Sequence, residues 1–119
     1  MQVHTLSAIQ QEIQSYKRIC ATERKLEADF MEPEKMTPSQ QEQLRHCKER
    51  RRRIENWLSL LNDDELFVVQ RRLIDEVIWS QLEQEYADRD GTFPKARRTL
   101  MRYQNRALKK IACFLNESG

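Results

Sequence analysis

Two glycines and three prolines in 119 residues leave this chain few places to turn tightly. Sheet-rich folds use such residues at hairpins and bulges, so their scarcity argues against a β-sandwich or barrel. Cysteine is equally uninformative about cross-links. Cys20, Cys47 and Cys113 are an odd number without C-x-x-C spacing, which fits reduced thiols and no disulfide framework. His46 and Cys47 are adjacent and would point about 100° apart on a helix, with no second pair to complete a metal site, so none is expected. No apolar run is long enough to cross a membrane, and the first residues lack the apolar core of a signal peptide. The expectation is a soluble protein of the cytoplasm without a membrane partner. A glycine-rich phosphate loop, a paired-carboxylate motif and a nucleophile with its base are all missing, so neither an enzyme nor a cofactor is expected.

What is present is charge. Asp, Glu, Lys and Arg make up 34% of the chain, and mean hydropathy is −0.86. Combined with little Gly and Pro, a chain rich in Leu, Gln, Glu and Arg is expected to be all-α. So much polar surface on so short a chain makes a homodimer the expected state. The net charge of +2 says little, but its distribution is uneven. Residues 63–90 hold nine acids and three bases, a charge of −6; residues 91–119 hold seven bases and one acid, a charge of +6.

Apolar residues at Leu6, Ile9, Ile13, Tyr16 and Cys20, with Ile19, Leu26 and Phe30 beside them, predict one long helix from about Leu6 to Phe30, capped by Thr5 or Ser7. Pro33 marks a break. Thr37-Pro38-Ser39-Gln40 is a helix start with a capping box, opening a second helix to about Leu61 with Leu44, Cys47, Ile54, Trp57, Leu58 and Leu61 inward. Arg51 falls in that seam, where it could cross to a carboxylate of the first helix. Arg45–Arg53 carries six bases and one acid. It has two readings: a face paired with Glu23, Glu27 or Asp29, or a patch that contacts phosphate. Asn62-Asp63-Asp64-Glu65 starts a third helix to about Ile74, with Leu66, Phe67, Val69 and Leu73 inward. Asp75–Ile78 is a short connection, and Trp79–Tyr86 a short helix with Trp79, Leu82 and Tyr86 inward. Trp57, Trp79, Tyr86, Phe93 and Tyr103 all fall on apolar stripes and are expected in the core.

The last segment, Gly91–Glu117, reads as one helix with Thr92 as N-cap and Pro94 in its first turn. Ala96, Leu100, Tyr103, Ala107 and Ile111 form its inward stripe. A basic face stands apart from that stripe. Lys95, Arg98, Thr99 and Arg102, on the first turns, are placed to read base edges in a major groove. Arg97, Arg106, Lys109 and Lys110 are placed to anchor phosphates. A solvated basic face on an ordinary core helix is the plain alternative.

Leu61–Leu115 resembles region 4 of sigma factors. The likeness lies in Trp79-Ser80-Gln81-Leu82 leading a short helix, a turn, and then KARRTLMRYQNRALKKIACFL, with RALKKIA supplied by Arg106–Ala112. The whole is similar to phage and prophage transcriptional regulators of the ArpU/RinA kind. The turn ADRDGTFP is longer and more polar than is usual in that motif, and Pro94 stands where a polar reader usually does. The two seams and the short loop between them predict a long, coiled-coil-like N-terminal helical hairpin over 1–61, serving dimerisation or interaction, or else two helices that pair across a dimer. The resemblance implies a helix-turn-helix DNA-binding domain over 62–119. It also implies sequence-specific binding of double-stranded DNA in a bacterial host cell, regulation of phage late genes, and contact with host RNA polymerase. Two other readings stay open: a helical adaptor or RNA polymerase modulator that does not touch DNA, and an accessory factor for phage DNA packaging.

Overall fold

The structure is a computed structural model that describes residues 5–29, 33–89 and 95–118. Among these residues there are helices and no strands, as the composition requires. The helices are α1 (Leu6–Gln14), α2 (Tyr16–Asp29), α3 (Pro38–Leu58), α4 (Asp63–Val69), α5 (Trp79–Ala87) and α6 (Arg97–Ser118). A 3₁₀ turn at Pro33–Lys35 precedes α3, and α4 runs on into a π turn at Gln70–Ile74.

The caps fall where side-chain chemistry puts them. Thr5 Oγ1 accepts from the Ala8 N–H at 3.1 Å. Thr37 and Gln40 close a reciprocal capping box at the start of α3, and Asn62 and Glu65 do the same for α4. Each box satisfies backbone N–H groups that a helix start would otherwise leave open.

The first helix is broken, contrary to the single helix expected from Leu6 to Phe30. Ser15 is the break: its hydroxyl donates to the Gln11 carbonyl at 3.0 Å, and its N–H is shared between Gln11 and Glu12. A serine that bonds back to the preceding turn competes with the helical ladder in this way. The inward register shifts with it. Ile9 and Ile13 are buried before the break, and Ile19, Glu23 and Leu26 after it, so Ile19 takes the inward place expected of Cys20. Phe30 lies outside the described residues.

The break gives the two pieces different partners. The main partner of α2 is α3, and that of α1 is α6 with the π turn. The α2–α3 pair is antiparallel, since the cross-links run in opposite order: Tyr16 to Glu55 (2.9 Å), Glu23 to Arg51 (2.7 Å) and Glu27 to Lys48 (3.5 Å). Arg51 does cross the seam, and it meets a Glu23 that is only 8% exposed. Arg50 reaches Glu12 at 2.6 Å, and Arg45 binds Glu42 and Glu49 on its own helix. Four of the six bases in Arg45–Arg53 are thus paired. Arg52 and Arg53 have no ion pair among the described residues.

Two buried clusters organise the packing. One joins Ile9, Ile13 and Ile19 to Ile54 and Trp57 of α3, Leu73 and Ile74 of the π turn, and Ala107, Leu108 and Ile111 of α6. The other holds Val68, Val77, Leu82, Tyr86 and Leu100, with Phe67, Trp79 and Tyr103 packed against it. The chain turns between Ser59 and Asn62, near the expected division at 61/62, yet the first cluster runs continuously across that point. Of the residues expected inward from Asp63 to Ile74, Val69 and Leu73 are buried and Leu66 and Phe67 half-buried, while Val68, not expected inward, is fully buried. Phe93 lies outside the described residues. The radius of gyration is 17.0 Å, against about 13.5 Å for a compact domain of this length, and the extents are 53 × 36 × 20 Å. The protein is a flat plate about two helices thick, with a large surface for its mass.

Two residues past the π turn, Glu76 takes a left-handed φ of 58°, and the Val77 N–H reaches back to the Arg71 carbonyl at 2.9 Å. A Cβ in that region costs about 1–2 kcal/mol, and a carboxylate at a helix C-terminus opposes the helix dipole. Glu76→Gly is therefore expected to stabilise the fold by about 0.5–1 kcal/mol after the extra freedom of the unfolded chain is counted, read as a higher urea midpoint.

Candidate nucleic-acid interface

The helix α6 spans both clusters. Leu100 anchors its first turns in one; Ala107, Leu108 and Ile111 anchor its later turns in the other. It begins at Arg97, not near Gly91: the Ala96 carbonyl accepts from the Thr99 and Leu100 N–H groups at 2.9 and 3.2 Å. Ala96 is exposed, although the stripe placed it inward. A helix takes most of its stability from a buried face, and burial here starts at Leu100, one turn in. Lys95 consequently stands just ahead of the helix, exposed, and not on its first turn. Thr92 and Pro94 lie outside the described residues.

Three of the seven bases of this segment are committed within the chain. Arg97 pairs with Glu83 of α5 at 3.0 Å. Arg106 and Lys110 both bind Glu65, at 2.8 and 2.7 Å. Glu65 is 0% exposed, and its Oε1 also accepts the Asn62 N–H at 3.0 Å in the α4 capping box. Burial pushes its carboxyl up, but the hydrogen bonds from Lys110, the Asn62 backbone and Arg106 outweigh that and hold it below the usual glutamate range. The Arg106 guanidinium also lies 5.1 Å from the centre of the Tyr103 ring. Arg106 and Lys110, expected as phosphate anchors, are thus held by a carboxylate of α4, and Arg97 by one of α5.

The other cations have no such partner. Arg98, Arg102 and Lys109 are exposed and make no ion pair among the described residues, and the same holds for Lys95. At 100° per residue, positions 98, 102, 105 and 109 fall within about 60° of arc, opposite the buried Leu100, Ala107 and Ile111. The row Arg98, Arg102, Asn105, Lys109 is about 16 Å long at 1.5 Å per residue. Asn105, exposed in the middle of it, was not singled out from the sequence. Its spacing of seven from Arg98 and three from Arg102 was the available signal. Thr99 is half-buried on the flank. Met101 is 40% exposed beside the row.

This row has the chemistry of a base-reading surface. An arginine can bind a guanine edge through two hydrogen bonds, and an asparagine can do the same at adenine. A major groove about 12 Å wide admits one such helix. The framework behind the row is stiff in its side-chain bonding. Tyr86 of α5 donates to Asp64 of α4 at 2.7 Å, and Arg89 stacks over Phe67 at 4.4 Å and meets Asp64 at 3.4 Å. Arg71 joins the π turn to Glu85 of α5 and to Asp75, and Lys17 of α2 reaches Asp75 at 2.9 Å.

Comparison with protein-family models, with curated proteins and with solved structures gives no match for this chain.

Glu65→Gln keeps the capping geometry but removes the charge that binds Arg106 and Lys110. It is expected to cost about 1–3 kcal/mol in urea unfolding at pH 7. Because the folded-state pKa of Glu65 is lowered, its contribution is fully present above the unfolded value of about 4.3 and is lost as pH falls through the folded value. The loss of stability on acidification should therefore be shallower in the variant than in the parent; equal acid slopes would remove Glu65 from the account.

Proposed function

We propose that this chain is a sequence-specific double-stranded DNA-binding protein that regulates transcription, with α6 entering a major groove. The observation that carries the reading is the row Arg98, Arg102, Asn105 and Lys109. These residues are aligned and exposed and meet no carboxylate among the described residues, on a helix whose other bases are paired. Arg98, Arg102 and Asn105 read base edges. Lys109 meets phosphate, and Lys95 and Thr99 flank the entry. Arg97, Arg106 and Lys110 act first as struts that fix the angle of α6 on α4 and α5. The likeness to sigma region 4 and to phage regulators of the ArpU/RinA kind supports the same reading. It adds a homodimer and host RNA polymerase as proposed partners. An adaptor that never touches DNA gives no role to four cations, Lys95 ahead of α6 and Arg98, Arg102 and Lys109 along it, that make no ion pair among the described residues.

The test begins with selection of bound duplexes from a random pool, followed by affinity measurements on the enriched site. About four cationic contacts predict a slope near −3 to −4 in log affinity against log salt, or roughly a 10²-fold loss between 50 and 200 mM. Arg98→Ala or Arg102→Ala should each cost about 1–3 kcal/mol and relax the preference at one base position. Lys109→Ala should weaken all sequences alike and lower the slope by about 1. Full affinity of the Arg98→Ala, Arg102→Ala double variant, with its helical circular dichroism intact, would overturn the assignment of α6.

A further inference from the structure

A second surface lies away from the row on α6, where the last turns of α3 meet the last turns of that helix. Trp57 and Leu60 on one side and Phe114 and Leu115 on the other line a groove of about 510 Å³. Leu60 is 38% exposed and Phe114 45%, so two large apolar side chains stand open to solvent at one place. Trp57 is 5% exposed and continues into the core beneath them. Arg52 and Arg53 border the groove, and they are the two bases of the Arg45–Arg53 run that make no ion pair among the described residues. Glu49, also on the border, is neutralised by Arg45 at 2.6 Å. An apolar floor beside two uncompensated positive charges is the chemical complement of an amphipathic helix with acidic flanks.

We propose that this groove docks an acidic amphipathic helix of a partner protein. The charge of the rim decides between occupants. A second copy of the chain on a two-fold axis would set the same patch against itself, bringing Arg52 and Arg53 toward their own equivalents, with Glu49 of the lining already held by Arg45. A nucleic-acid backbone would satisfy the arginines but leave Phe114 and Leu60 exposed. A helix with Leu or Phe at i, i+4 and i+7, and Asp or Glu beside them, satisfies both parts. Glu49 to Trp57 rises about 12 Å, so two to three turns of partner helix span the groove.

The experiment selects a displayed library of random 15-residue peptides against the full chain without DNA, then measures the enriched peptides by fluorescence anisotropy. Enrichment of acidic sequences with that apolar spacing is expected. Phe114→Asp and Arg53→Glu, both at exposed positions, should each weaken binding by ~10-fold or more, the loss that follows removal of one anchor. Circular dichroism should stay unchanged, and so should the DNA affinity of Phe114→Asp, which separates this surface from the DNA reading. No enrichment, enrichment of basic peptides, or binding indifferent to both substitutions would overturn the proposal. A dimer in sedimentation that Phe114→Asp disperses would give the groove to a second copy. A loss of DNA affinity in Arg53→Glu without peptide enrichment would give it to phosphate.

Discussion

The carboxylate of Glu65 ties the end of one helix to the length of another. It caps α4 through the Asn62 N–H, and it binds two bases of α6, Arg106 and Lys110, from a position with no solvent exposure. A buried carboxylate is costly unless its lone pairs are filled, and here three donors fill them. Placement in the first turn of α4 adds the favourable end of that helix's dipole. The consequence reaches beyond the pair. With Arg106 and Lys110 held on the α4 side, α6 cannot rotate about its own axis without breaking that site. The face carrying Arg98, Arg102, Asn105 and Lys109 is therefore fixed outward.

The opposed charges of residues 63–90 and 91–119 take on a specific meaning from this. Part of the imbalance is internal pairing, with Glu65 and Glu83 taking three of the seven bases. Among the described residues, four cations of the segment remain without an ion pair: Lys95 ahead of the helix and Arg98, Arg102 and Lys109 along it. The same accounting on α3 removes four of six bases into pairs with α2, with α1 and along α3 itself, and isolates Arg52 and Arg53 at the groove. In both places the useful quantity is the charge left over after pairing. That remainder depends on which side chains reach each other across the fold.

The N-terminal half shows how one residue redirects packing. A seam read as continuous from Leu6 to Cys20 suggested one helix lying along α3. Ser15 divides it, sending α1 to α6 and the π turn while α2 pairs with α3. α1 therefore helps to hold the long basic helix, and Ile9 and Ile13 share a cluster with Ala107 and Ile111. The crossing of Arg51 to a carboxylate of the N-terminal helices, Glu23, follows the seam as read, and the structure pairs α2 with α3 within one chain.

The sequence by itself determined the all-helical class, the caps at Thr37 and Asn62, the short helix from Trp79 and most of the inward stripe of α6, and it narrowed the first cap to Thr5 or Ser7. These are local: they follow from side-chain capping chemistry and from a 3.6-residue period over a few turns. The tertiary structure decided the break at Ser15, the start of α6 at Arg97, the burial of Glu65 and the separation of paired from free bases. Each of these depends on a contact between residues distant in sequence or on a choice between competing hydrogen bonds. Glu65 and Lys110 are 45 positions apart, and no local pattern couples them. Asn105 lies between the two cases. Its position on the row was legible from spacing, but its relevance emerged only once Arg106 beside it was drawn away to Glu65.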